Sequence, residues 1–325
     1  MEERAIPRLG RSVSVIGLGT WQLGADWGEV DDDDARLVLD TAVAEGVTFF
    51  DTADVYGDGR SERFCGELRH RHPDVLVATK MGRRVEQIPG NYNRENFLAW
   101  NDRSRANLGM EQLDLVQLHC PPDGVYDDDA VFDALDEMVR DGRIAAYGVS
   151  VETCDQALRA IARPRVATVQ IILNCFRLKP LEEVLPAARE AGVGIIARVP
   201  LASGLLSGRY DEHTVFGPND HRMFNRHGEA FDVGETFAGV PYEVGVEAAR
   251  ELRSCLDPGI SLAQFALRWV IDQPGVSTVI PGASNPDQVR QNVAAAASPP
   301  LRHDQLDGVR DVYDRLIAPH VHARW

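Results

Sequence analysis

Four polar side chains stand where apolar runs end, and together they make a proton-transfer set. Asp51 and Tyr56 lie in FFDTADVYG, Lys80 closes VLVATK, and His119 closes LVQLH. A carbonyl that accepts hydride develops negative charge on oxygen, so an acid must protonate it or a donor must stabilise it. Free tyrosine is a weak acid, with a pKa of about 10. A Lys80 ammonium beside Tyr56 favours tyrosinate and eases proton release, while Asp51 holds that lysine charged and oriented. His119 is placed to orient the carbonyl or relay a proton to Tyr56; its protonation state stays open, because the group titrates as a coupled unit. Each residue alone has a plainer reading: a packed tyrosine, a surface lysine, an aspartate capping a turn, a hydrogen-bonded histidine. Their shared place at strand ends is what points to chemistry.

The elements that must position them alternate along the chain. Apolar runs predict strands at 15–19, 47–51, 75–79, 114–119, 145–149, 168–173, 193–198 and 277–280. Several are almost continuously apolar, as expected for strands covered by helices. Amphipathic segments predict helices near 33–45, 60–71, 93–107, 128–141, 153–162, 181–191, 242–254, 261–271 and 286–296, with a further one at 303–317. In the first, Leu37, Val38, Thr41 and Ala42 share a face, and Gly46 supplies the stop. Gly192 and Gly194 mark another helix-to-strand turn, Ser261 caps the segment that Pro274 ends. Eight strand–helix pairs suggest an α/β fold, a (β/α)8 TIM barrel, over residues 1–325 as a single domain; an open doubly wound sheet is the alternative. The stretch 208–240, after strand seven, is long for a barrel loop. Its His, Phe, Asn and Gly content suits a lid or substrate loop, or else a disordered excursion.

Composition narrows the function classes. The net charge of -16, with no lysine- or arginine-rich stripe, speaks against a nucleic-acid partner. No run reaches the roughly 18 apolar residues of a membrane span. The N-terminal MEERAIPRLGR lacks the apolar core of a secretory signal, so a cytoplasmic location is the expectation. Five scattered cysteines without a CxxC suggest neither a disulfide framework nor a zinc site, and Cys120 reads as a thiol beside the site rather than a nucleophile. His213, His221 and His227 do not match a ligand spacing, so no metal is expected.

Seven ordered blocks then carry a resemblance: GLGTWQLG (17–24), FFDTADVYGDGRSE (49–62), LVATK (76–80), QLDLVQLHCPP (112–122), IAAYGVS (144–150), RVPLASGLLSGRY (198–210) and IPGASNPDQVRQN (280–292). Over essentially its whole length the chain resembles the aldo-keto reductase superfamily. The resemblance implies a TIM barrel, NADPH or NADH as cofactor, and a small carbonyl or alcohol substrate. The family's catalytic Asp, Tyr, Lys and His fall on Asp51, Tyr56, Lys80 and His119. Gly19 and Thr20 would line the nicotinamide end, with Trp21, Tyr56 and His119 walling the substrate pocket. Ser150 and Gln170 would hold the carboxamide, with Asp51 and Arg198 nearby; an amide side chain both donates and accepts. Leu201, Ser203, Gly204 and Leu205 would cover the pyrophosphate, where free backbone N–H groups suit an anion. Gly282, Ala283, Ser284, Gln288, Gln291 and Asn292 would surround the adenosine half.

Three departures stand out. Val151 follows Ser150 where the family commonly has Asn, and Arg198 occupies a position that many members give to a stacking aromatic. Gly282 and Gln288 replace the Lys and Arg with which many members hold a 2′-phosphate; Arg290 or Ser284 would have to compensate, which leaves NADH and NADPH both open. The expected activity is reversible reduction of an aldehyde, ketone or sugar carbonyl. The alternatives are a weakly catalytic or non-catalytic nicotinamide-binding regulatory subunit, or a barrel hydrolase or lyase. The oligomeric state is left open.

Overall fold

A computed structural model describes residues 1–24, 30–217 and 220–325. Ten strands occur among them: Glu3–Ile6 (β1), Arg11–Ser14 (β2), Leu18–Gly19 (β3), Phe49–Asp51 (β4), Leu76–Met81 (β5), Leu115–His119 (β6), Tyr147–Ser150 (β7), Val166–Ile172 (β8), Gly194–Arg198 (β9) and Val276–Val279 (β10). The last eight form one parallel sheet in sequential order from β3 to β10. It closes on itself: parallel bridges join Ile16 to Val279 and Gly19 to Gly282. All eight expected barrel strands are present, and closure decides against the open sheet.

The helices are Asp32–Ala44 (α1), Arg60–Arg71 (α2), Arg94–Leu108 (α3), Asp129–Arg140 (α4), Cys154–Ala162 (α5), Val184–Ala191 (α6), His221–Phe224 (α7), Tyr242–Leu252 (α8), Leu262–Ile271 (α9), Pro286–Ala297 (α10), His303–Val312 (α11) and Ala318–Val321 (α12). Their local chemistry is legible. Ser261 and Gln264 form a reciprocal capping box at the start of α9, and Gly46 and Gly192 turn the chain at φ of 86° and 70°. One expectation fails: Leu37 is exposed, and α1 buries Ala35, Val38, Leu39, Thr41 and Ala42 instead. A helical stripe follows the neighbours it packs on, here α2 and α10, rather than the most apolar arc of the helix alone. The predicted segment 303–317 is α11 continued by a wider π-helical turn, Tyr313–Ile317, into α12.

Two cores hold the barrel. A large one lies between the strands and the outer helices. A small one fills the interior, where Phe49, Leu76, Leu115, Ala167 and Ile196 meet Ile6 and Val13. Those last two come from the antiparallel hairpin β1–β2, which plugs the N-terminal end of the barrel. Gly194 is the residue that admits it, because a Cβ there would stand 2.7 Å from Ile6. With one end plugged, the opposite end, at the C-terminal ends of the strands, holds the polar side chains.

Candidate active site

Asp51, Lys80 and His119 sit at the C-terminal ends of β4, β5 and β6, and Tyr56 follows β4 on a turn that Gly57 makes possible. Gly57 has φ of 57°, and a Cβ there would stand 2.3 Å from the Gly24 carbonyl oxygen. Only glycine lets the Trp21–Gly24 turn press against the tyrosine. Trp21 stacks beside Tyr56, with ring centroids 6.0 Å apart, and His221 and Phe231 complete that wall.

The buried Lys80 ammonium forms an ion pair with Asp51. It also donates to the Thr52 carbonyl at 2.8 Å and to the Tyr56 hydroxyl at 3.3 Å. The other Asp51 carboxylate oxygen accepts from Gln170 at 2.8 Å and from Gln117 at 3.1 Å. Burial works against the Lys80 charge, yet Asp51 and Tyr56 keep it above the usual lysine range. Burial raises the Tyr56 hydroxyl above the usual phenol value, with Lys80 opposing the rise. Tyr56 is thus a protonated donor near neutrality. His119, edge-on to Tyr56 with ring centroids 6.1 Å apart, is held well below the usual histidine range by burial and by the charges of Arg83, Lys80 and Arg198. That environment favours the neutral imidazole at His119.

A cavity of about 440 Å³ opens on this group. Gly19, Thr20, Trp21, Asp51 and Tyr56 line one part, with Gln170 and Arg198 beside them. Leu201, Ser203 and Gly204 form another part, and Gly282, Ser284, Gln288, Gln291 and Asn292 a third. Lys80, His119, Ser150, Leu205 and Ala283 are buried and do not line the cavity. Lys80 reaches it through Asp51 and Tyr56; Ser150 lies against the Cys120 sulfur at 3.5 Å. Burial pushes the Cys120 thiol up, away from the thiolate a nucleophile needs. The loop after β9 carries left-handed backbone at Val199, Ala202, Ser203 and Gly204. Such conformations are costly for a β-branched residue and gather where a surface must be shaped for a ligand.

Two expectations are altered. Arg290 lies outside the cavity, half-exposed, where it pairs with Asp287 at 2.9 Å and Glu45 at 3.7 Å. Ser284 is in the wall, but its N–H and hydroxyl are both directed to Gln288 Oε1. The cations that do line that cavity beyond Arg198 are Arg209 and Arg222. Arg222 pairs with Asp220 at 2.5 Å and donates to the Tyr210 hydroxyl. Arg198 is turned to its own surroundings: it donates to the Val151 carbonyl at 2.9 Å and pairs with Glu235 at 2.5 Å. The two unusual positions, 151 and 198, thus meet. Sequence reasoning missed Gln117, which a polar residue inside an apolar strand could have signalled, and missed Glu235, for which the long loop offers no signal.

Behind Tyr56 lies Asp54, fully buried, with neither carboxylate oxygen hydrogen-bonded among the described residues. Burial and the nearby Glu62 raise it to about 7. A carboxyl raised on folding contributes stability that is fully present below its unfolded value, near 4, and is lost as pH rises to about 7. At that size the loss is on the order of 4 kcal/mol. Urea unfolding of Asp54→Asn beside the parent is expected to show the variant more stable at pH 8 by a few kcal/mol, with most of that gain absent at pH 4. A gain that ignores pH would contradict the assignment.

No helix among the described residues is long and apolar enough to cross a membrane. A family model described as the aldo/keto reductase family matches residues 15–314. An uncharacterized oxidoreductase of Mycobacterium tuberculosis is 35% identical over 301 residues, covering 87% of this chain and 84% of the relative. Among solved structures, a glycerol dehydrogenase from Gluconobacter oxydans superimposes with a TM-score of 0.78 at 30% identity, covering 98% of this chain and 96% of that one. The holo form of an aldo-keto reductase from Bacillus halodurans gives 0.77 at 26% identity, covering 96% of each chain.

Proposed function

Since the chain belongs to the aldo/keto reductase family, we propose that it reversibly reduces an aldehyde, ketone or sugar carbonyl to an alcohol with NADPH or NADH, Tyr56 giving the proton. The observation that carries this reading is the Tyr56 hydroxyl, in the lining of the cavity, 3.3 Å from the buried Lys80 ammonium. The names of the relatives, an oxidoreductase and a glycerol dehydrogenase, support it.

The residues present fit a dinucleotide. Gly19 and Gly204 line the cavity without side chains, so backbone forms the wall at both places. Gln170 keeps its carbonyl as an acceptor while its N–H groups serve Asp51 and Gln117, Gln291 and Asn292 add further amides, and Arg209 and Arg222 supply positive charge for phosphates. The nicotinamide supplies the hydride when bound. Tyr56 protonates the carbonyl oxygen in reduction and takes the hydroxyl proton in oxidation. Lys80 steadies the phenolate that results, and Asp51, fixed by Gln117 and Gln170, keeps Lys80 in place. Neutral His119, edge-on to Tyr56 behind the cavity lining, adds no charge to compete with the developing oxyanion for Lys80.

Arg222→Ala is expected to raise the cofactor Kd about tenfold, the scale of one charge-assisted contact, while Arg290→Ala changes it less than twofold. Titration of protein fluorescence with NADPH and with NADH checks both. A strong loss in Arg290→Ala alone would return that residue to the cofactor's account.

A further inference from the structure

One part of the long loop 208–240 is clamped by a residue far along the chain. Trp325, beyond α12, is buried at 7% exposure. Its indole Nε1–H donates to Asp232 Oδ1 at 3.2 Å, and the same oxygen accepts from Gly234 N–H at 2.7 Å. The ring presses on the loop backbone at two points. A Cβ on Gly234 would stand 3.3 Å from its Cε2, and one on Gly239, where φ is 79°, would strike its Cη2. A side chain at Gly239 would therefore lift the ring off the loop. The Arg177 guanidinium, from the loop after β8, covers the ring 3.7 Å from its centroid. A buried indole held through its N–H and by a cation fixes what it touches.

The segment so held reaches the cavity. Between the two glycines, Ser203 Oγ donates to the Glu235 carbonyl at 3.0 Å and accepts from Phe237 N–H at 3.1 Å. Ser203 and Glu235 both line the cavity. Ser203 is left-handed at φ of 53°, and so are Phe237 and Ala238, at 54° and 58°. Such backbone is costly away from glycine and persists only where the surroundings hold it. Just before Asp232, Phe231 meets Trp21 edge-on, with ring centroids 5.9 Å apart, and Trp21 stacks beside Tyr56. Residues 231–239 thus join two parts of the site, the aromatic wall at Tyr56 and the turn after β9.

From this geometry we propose that Trp325 is a positioning residue for the reaction. By fixing 231–239 it sets Trp21 beside Tyr56 and holds the Ser203 turn in the shape that receives the cofactor. Neither link runs through the Asp51, Lys80 and Tyr56 group, whose bonds go to Thr52, Gln117 and Gln170. Loosening the clamp therefore weakens the binding of cofactor and substrate and leaves the chemical step at saturation largely intact. A residue that only packed would lower stability and leave both binding constants in place.

The substrate arm of the test rests on the carbonyl-reduction reading; the cofactor arm does not, so the two fail separately. The parent, Trp325→Ala and Trp325→Phe are compared well below their melting temperatures. Calorimetric titration gives Kd for NADPH and NADH. Absorbance at about 340 nm gives kcat and KM for the fastest substrate among butanal, butanone and xylose. Trp325→Ala is expected to raise both the cofactor Kd and the substrate KM about tenfold, the scale of a displaced wall, with kcat within about threefold of the parent. Trp325→Phe keeps a ring over Gly239 but has no N–H for Asp232, so its rise should be smaller, about threefold. It carries the test if Trp325→Ala fails to fold. A lowered melting temperature with Kd and KM unmoved would mark Trp325 as packing alone and overturn the clamp. So would a loss confined to kcat. If the parent turned over none of the three compounds while the Kd shift appeared, the carbonyl-reduction reading would fall and the clamp on the cofactor side would stand.

Discussion

Replacing Tyr56 by Phe is expected to lower kcat for carbonyl reduction about a thousandfold, within the range of a lost general acid. Only the hydroxyl disappears. The ring keeps its stack against Trp21 and its edge contact with His119, so the wall of the cavity keeps its shape. Cofactor affinity should stay within twofold of the parent, because the lost contact matters at the transition state rather than in binding. Absorbance at about 340 nm reports turnover through the nicotinamide, and fluorescence titration reports binding. A protein that merely sensed nicotinamide would show slow turnover indifferent to this change. Full activity in Tyr56→Phe would remove the tyrosine from the mechanism.

The second large effect belongs to Lys80→Met. The side chain is 1% exposed, and removing it leaves Asp51 buried with two amide donors but without its cation. Breaking one half of a buried pair costs about 3–5 kcal/mol, because the remaining charge is stranded. Chemical denaturation should show that loss. Activity should fall by two orders of magnitude or more, since the Tyr56 phenolate loses its counter-charge. A double variant, Asp51→Asn with Lys80→Met, distinguishes the two consequences. Stability is expected to recover by several kcal/mol, since no stranded charge is left, while activity stays low. If stability did not recover, the destabilisation would come from lost packing instead.

Both predictions lean on the same distinction between a residue's identity and its surroundings. Lys80 can tune Tyr56 because Asp51 offsets its desolvation and the Tyr56 hydroxyl lies within reach; a lysine of the same sequence context on a wet surface would tune nothing. His119 shows the reverse case. Its place at a strand end was legible, but its charge depends on Arg83, Lys80 and Arg198, which converge on it from separate elements.

What the sequence by itself determined is local. Ser261 and Gln264 cap their helix because both partners lie within one turn, and the apolar runs become strands because helices cover them. The strand-end positions of Asp51, Lys80 and His119 follow from the same alternation. Tertiary structure alone decided matters that join distant segments. The hairpin that plugs the barrel is too short to announce itself. Leu37 turned outward because α2 and α10, not its own arc, defined the buried face. Arg290, chosen from its spacing to Gln288, was drawn away by Asp287 and Glu45. Glu235 reached Arg198 across 37 residues through bonds to Ser203 and Asp232 that have no sequence periodicity. Periodicity reports which face of an element is buried; it carries no record of what a long loop brings back to the site.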